Sequence, residues 1–171
     1  APAGRPQGAP PRGGAVTDPV LRRERVVLRP AAPEHVEGIL RVLSHPDVRR
    51  RWGAGDVTGW LREVMASEED GVFAIEVGGE VAGAVAYHEE RDLDYRHSGM
   101  DIALHPDSWG RGLGADALRA LARHLLRRRG HHRLTIDPAA DNARAIRCYE
   151  RVGFRRVGIM RRYERGPDGS W

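Results

Sequence analysis

The stretch Trp109-Gly110-Arg111-Gly112-Leu113-Gly114-Ala115 is where this 171-residue chain offers its plainest chemistry. Three glycines stand between an expected strand and a long periodic helix, so the backbone can approach a ligand and aim several N–H groups at it. The front of a helix adds partial positive charge, and a diphosphate is the natural occupant. A turn needed only for its geometry is the plain alternative. The glycines fall at 110, 112 and 114, which is not the Gly-x-Gly-x-x-Gly of dinucleotide folds, and no Lys-Ser/Thr pair follows to make a Walker A loop. A second segment runs from Asp141 to Phe154. Asn142 can cap a helix, Ala145, Ile146 and Tyr149 share one face, and Gly153 can end it in a left-handed conformation. Cys148, the one cysteine, lies inside that helix with no assigned His–Asx partner, which speaks against a covalent nucleophile and excludes an internal disulfide. No metal is expected, because the cysteine and histidines have no zinc spacing and adjacent His131 and His132 would point to opposite faces of a strand.

A mixed α/β chain has to position these segments. Residues 1–19, rich in Pro, Gly and Ala, read as a flexible tail, and residues 20–171 as a single domain. Arg25–Leu28 reads as a strand ended by Pro30. Pro33–Leu43 reads as a helix with Val36, Ile39, Leu40 and Leu43 on its inner face, and Thr58–Ala66 as another with Thr58 as its cap. Val72–Val77 and Glu80–His88 flank Gly78-Gly79 as a hairpin, and Glu89–Asp94 is a charged loop. Then come a strand at Ser98–Leu104, a helix at Ala115–Arg129, a strand at Arg133–Ile136 and a helix at Asn142–Arg151. A last strand, Phe154–Arg165, runs into a turn at Gly166–Gly169. This order predicts a sheet that is antiparallel in its first half and parallel where helices cross over.

All 28 basic residues are arginine and the net charge is +4. Residues 31–110 carry 7 Arg against 16 acids, net −9, whereas residues 111–165 carry 15 Arg against 5 acids, net +10. An acidic half joined to a basic half suits a cationic acceptor and a polyanionic cofactor; coding bias and solvated faces are the alternative. No apolar run approaches the roughly 18 residues of a membrane span, and no apolar stretch opens the chain, so neither a membrane nor secretion is expected and the reducing cytoplasm is the expected compartment.

With both segments in this order, residues 23–165 resemble the GNAT acetyltransferases. Their coenzyme A motif, Gln/Arg-x-x-Gly-x-Gly/Ala, is filled in its second half by Gly112-Leu113-Gly114, although Trp109 stands where Gln or Arg is usual. Their Asn-x-x-Ala-x-x-x-Tyr-x-x-x-Gly-Phe pattern is met by Asn142, Ala145, Tyr149, Gly153 and Phe154. The resemblance implies the GNAT fold, an α/β (α+β) domain with a central, mixed, mostly antiparallel sheet and helices on both faces. It implies acetyl-CoA as co-substrate, with no metal. Gly112, Leu113, Gly114 and Ala115 would meet the cofactor's phosphates, with Arg111 beside them unless it is merely solvated. Asn142 would contact the pantetheine arm, and amides near Leu104 would polarise the thioester carbonyl. GNAT domains usually end with a further strand; here it is missing, or a partner chain in a homodimer or the tail supplies it.

Asp137-Pro138 followed by Asn142 to Glu150, together with Met100-Asp101, is similar to the aminoglycoside 6′-N-acetyltransferases. Leu28-Arg29-Pro30, Ser44 to Val48 and Arg51-Trp52 resemble that group and the protein N-terminal acetyltransferases alike, as the Trp109–Gly114 variant resembles the latter. The reaction implied is direct attack of an amine on the thioester. Asp101 would be the base or ammonium-positioning group, or else a solvated strand-edge carboxylate. Tyr149, with a pKa of about 10, would be the acid, or else a core tyrosine. Glu89, Glu90, Asp92 and Asp137 would clamp a small-molecule polyamine acceptor, the loop acids reading equally as a solvated charge run, and Trp52 would stack on a sugar or pack. Three functions remain open: acetylation of an aminoglycoside 6′-amine, as in antibiotic resistance; acetylation of a protein or peptide α-amine; and a non-catalytic CoA-sensing or nucleic-acid-binding module. Of these partners the polyamine is expected and nucleic acid is not.

Overall fold

The computed structural model describes residues 18–52, 55–164 and 169. Residues 1–17 of the tail expected over 1–19, and residues 166–168 of the turn expected over 166–169, lie outside the described residues.

Alternation along two neighbouring strands builds two cores at once. β3 (Asp70–Val77) and β4 (Glu80–Glu90) are antiparallel and joined at Gly78-Gly79, whose φ angles of 61° and 90° only glycine adopts freely. Phe73, Ile75, Val85 and Tyr87 point one way; Val72, Ala74, Ala84 and Ala86 point the other. The bulky face packs on α4 (Leu113–Arg127) through Leu118, Leu121 and Leu125. The alanine face lets α1 (Val36–Leu43), α2 (Pro46–Trp52) and α3 (Val57–Ala66) come close. A Cβ on Gly38 would sit 2.7 Å from the Val81 Cβ, so this glycine sets how near α1 lies to β4. Ile39, Val42 and Leu43 are fully buried there, each contributing roughly 1.5–3 kcal/mol.

The remaining strands are β1 (Leu21–Arg22), β2 (Val27–Pro30), β5 (His97–Leu104) and β6 (Leu134–Thr135), and the sheet runs in the order β1 to β6. Every pair is antiparallel except β5–β6, which is parallel because α4 carries the chain back across the sheet. α5 (Ala143–Val152) packs beside α4. β5 and β6 pair only at Ser98 with Leu134 and at Gly99 with Thr135. Beyond Gly99, β5 continues to Leu104 with no strand paired to it on that side among the described residues, and the sheet opens.

Four expectations change. The short helix α2 was not foreseen, since its seven residues bury a single apolar side chain, Val48, and leave no period to read. Asp56, not Thr58, caps α3: its carboxylate accepts the Thr58 N–H at 3.0 Å. Asp18, assigned to the tail by composition, is anchored by the Tyr87 hydroxyl at 2.6 Å and His124 Nε2 at 2.9 Å. Residues 154–164 form no strand, because β6 spans two residues and no described strand lies beside them to take their backbone bonds; Val157, Ile159, Met160 and Tyr163 stay exposed.

Candidate active site

Where the sheet opens, a cleft of about 460 Å³ forms. Asp101, Ile102 and Leu104 of β5 make one wall, and Ile136 and Asp137 the other. The front of α4 supplies Gly112, Leu113, Gly114 and Ala115, α5 supplies Tyr149 with Asn142 just ahead of it, and α2 supplies Trp52. All of these but Ile102 and Ile136, ten residues, were singled out from sequence, and they come from segments far apart in the chain.

The glycine turn has the shape its composition implies. Gly110 and Gly112 have φ angles of 75° and 79°, and Gly112 heads α4 with no side chain capping it. The first amides of α4 therefore remain open to an external acceptor, which fits a diphosphate. Arg25 reaches this turn from between β1 and β2. Its Nε donates to Asp116 at 2.7 Å and its Nη1 donates to the Arg111 carbonyl at 3.1 Å. That bond holds the Asp116 carboxyl below its ordinary range, against the smaller opposing effect of burial. The Arg111 side chain is exposed and does not line the cleft.

At the other end Asp101 is open to the cleft over half its side chain, 52%, yet protein surrounds it on the remaining sides. Burial accordingly raises its pKa above 3.8, and the carboxylates of Asp137 and Glu164 raise it further; His88 opposes them from 3.9 Å. Gly99 makes the seat for that imidazole, since a Cβ there would lie 1.9 Å from the ring. Tyr149, expected near an ordinary phenol value, is corrected upward: burial pushes it well above 10, with Cys148 and Asp101 adding to the shift, so it keeps its proton. Burial also raises the Cys148 thiol, leaving it protonated and a poor nucleophile. Asn142 Oδ1 accepts the Ala145 N–H at 3.2 Å and so caps α5. Trp109 donates from Nε1 to the Leu104 carbonyl at 2.8 Å, and the Arg144 guanidinium lies 3.4 Å over its ring.

The loop acids lie elsewhere. Glu89 is almost fully buried, accepting from Arg129 Nε at 2.9 Å and pairing with His131 Nε2 at 2.7 Å. Glu90 accepts the Asp92 N–H and Asp92 the Asp94 N–H, each at 2.9 Å, which shapes the β4–β5 turn. None of the three lines the cleft. The acids at the end of β4 and in the turn after it were expected as a substrate clamp or a solvated charge run; Glu90 and Asp92 are turn builders and Glu89 is an internal counter-ion.

Arg25, Asp116, Arg119, Arg144 and Glu164 border or support the cleft and were not foreseen. Arg25 and Asp116 are 91 positions apart, and no local pattern announces such a pair. Among the described residues no helix is long and apolar enough to cross a membrane, and no group of three or more His, Cys, Asp or Glu side chains could hold a metal.

Residues 25–155 match the model of the acetyltransferase (GNAT) domain family. A kanamycin resistance protein of Rhizobium radiobacter is 38% identical over 84 residues, 48% of this chain and 72% of that protein. An aminoglycoside N(6′)-acetyltransferase type 1 of Klebsiella pneumoniae is 34% identical over 122 residues, 64% of this chain. This alignment spans 58% of the Klebsiella protein, a little over half its length. Among solved structures, AAC(6′)-Ib in complex with ribostamycin and coenzyme A superposes with a TM-score of 0.70 at 27% identity, over 85% of this chain and 89% of that one. Mycobacterium smegmatis RimJ, in complex with CoA-disulfide, gives 0.76 at 21% identity over 92% and 84%, a likeness of fold. A sheet that opens beside an uncapped helix front, and a family match over most of the domain, lead to one assignment: the chain belongs to the GNAT acetyltransferases, which are acetyl-CoA-dependent N-acetyltransferases.

Proposed function

We propose that the protein acetylates a primary amine of a polycationic small molecule, an aminoglycoside 6′-amine, by direct attack with acceptor and acetyl-CoA bound together. The observation that carries this reading is the grouping of Asp101, Asp137 and Glu164 in the cleft that Tyr149 also lines, where burial first, and then the charges of Asp137 and Glu164, raise the Asp101 pKa. An incoming ammonium would stabilise negative charge grouped in this way, and a sugar bearing several amines supplies several. The names of the Rhizobium and Klebsiella relatives point the same way.

Acetyl-CoA supplies the thioester carbonyl that the amine attacks and the sulfur that leaves. The open amides at the front of α4 bind its diphosphate and fix its depth in the cleft. Asp101 in its carboxylate form takes a proton from the acceptor ammonium, leaving a neutral nucleophile, and its raised pKa brings it nearer to proton-transfer balance. Tyr149 keeps its proton and lines the same cleft, and would hand that proton to the departing sulfur. Trp52 lines the cleft from α2, its ring packed T-shaped against Trp60, and would stack on a sugar ring.

A thiol-release assay with acetyl-CoA tests this, offering kanamycin-type sugars in one arm and peptides beginning with Ser or Ala in the other. Turnover with the sugars is expected. Turnover with peptides alone would replace the small polyamine by a protein α-amine.

A further inference from the structure

An acid sits where this site least tolerates one. Asp116 lies in the first turn of α4, almost fully buried, beside the amides that are to hold a diphosphate. An unneutralised carboxylate there would repel the ligand that the helix front attracts. Two arginines flank it: Arg25 Nε at 2.7 Å and Arg119 Nη1 at 3.8 Å. Arg25 is the one carried over the turn. Its Nη1 also donates to the Arg111 carbonyl, and the guanidinium rests against Gly112, where a Cβ would come within 2.6 Å of Nη1. It lines the same cleft as Gly112 and Gly114.

We infer that Arg25 is a phosphate-binding residue for the diphosphate of the cofactor, and that Asp116 is the positioning residue that aims it. With Nε and one Nη1 hydrogen engaged, the remaining donors of the guanidinium stay available at the lip of the glycine turn. The two anchoring bonds fix the side chain beforehand, so little freedom is lost when a phosphate arrives. The pairing also accounts for the buried acid: Asp116 serves the anion site by placing a cation there. The inference rests on acetyl-CoA being the ligand of the cleft.

Calorimetry with coenzyme A and with 3′-dephospho-coenzyme A tests it on the wild type, Arg25→Ala, Asp116→Asn and the double variant. Arg25→Ala is expected to weaken coenzyme A about tenfold, and dephospho-coenzyme A by the same factor, because both carry the diphosphate. Asp116→Asn alone is expected to weaken binding about threefold by releasing Arg25. In the Arg25→Ala background the same change is expected to tighten it, since it then removes a negative charge left with only the longer Arg119 contact, at 3.8 Å. That reversal of sign would not arise from a merely structural pair. Wild-type affinity in Arg25→Ala, or a loss from Asp116→Asn in both backgrounds, would overturn the assignment while leaving the acetyl-CoA reading intact. A penalty that vanished with dephospho-coenzyme A would move Arg25 to the 3′-phosphate and overturn its assignment to the diphosphate. Failure of the wild-type protein to bind either compound would overturn the acetyl-CoA reading and this inference together.

Discussion

The rear of α4 and the β5 wall of the cleft both gather ionisable side chains, and their electrostatics run in opposite directions. At the rear, Asp18, Tyr87, Glu89, His124, Arg129 and His131 form one buried network in which each carboxylate has at least two partners. His124 and Arg129 belong to the end of the helix or the residues just after it, where cations meet the negative pole of its dipole. On β5, Asp101 faces the open cleft with one imidazole, 3.9 Å away, as its counter-charge. The electrostatics separate accordingly. Their hydrogen-bonded partners hold Asp18 and Glu89 below ordinary carboxylate values despite burial, whereas Asp101 is raised by burial and by its own kind. Density of charge does not mark a reactive site. The proposed base is instead the carboxylate without a close counter-ion.

Substitution should expose the contrast. Asp101→Asn is expected to lower turnover by about two to four orders of magnitude in the thiol-release assay. Its thermal midpoint should stay level or rise, since a crowded, half-buried charge is removed. Near-normal turnover would assign the proton transfer elsewhere. Glu89→Gln should do the reverse, costing about 2–3 kcal/mol of stability in urea unfolding by leaving Arg129 and His131 short of a counter-ion. Its turnover per folded molecule should match the wild type; a specific loss of activity would bring Glu89 back as an acceptor clamp.

The smallest effect is one of order along the pH axis. Asp18 and Glu89 have folded pKa values below their ordinary 3.8 and 4.5, so their stabilisation is present above those values and is lost as pH falls through the folded ones. Asp101 has a folded pKa above 3.8 and must be ionised to act as a base, so activity is lost as pH falls through that higher value. On acidification kcat/KM is therefore expected to fall before far-UV circular dichroism does. Coincident loss of the two would remove the distinction between the two regions.

Legibility from sequence follows the range of the interactions. The hairpin at Gly78-Gly79, the glycine turn and the helix between Asn142 and Gly153 were readable because turn chemistry and caps act over a few residues. The ten cleft residues were found through two such local segments and a family resemblance. Arg25 escaped because its value depends on Asp116, 91 residues on, and Glu164 because it arrives from beyond α5. Glu89 was misplaced for a related reason. In sequence it belongs to a run of surface charge, and only the fold sets Arg129 and His131 against it. Residues 154–164 have the apolar content of a strand, but a strand is a property of a pair.

The alternation of Phe73, Ala74, Ile75 and Val85, Ala86, Tyr87 has a consequence for how such an enzyme can drift. The sheet works as a bulkhead: the chamber behind its large side chains steadies α4 and the phosphate grip, while the chamber behind its alanines steadies α2 and the rim at Trp52. Enlarging Ala84 or Ala86 by a methyl or two would tilt the rim and leave the grip undisturbed. A lineage can thus retool for a new acceptor on one side of this wall and inherit its acyl donor unchanged on the other.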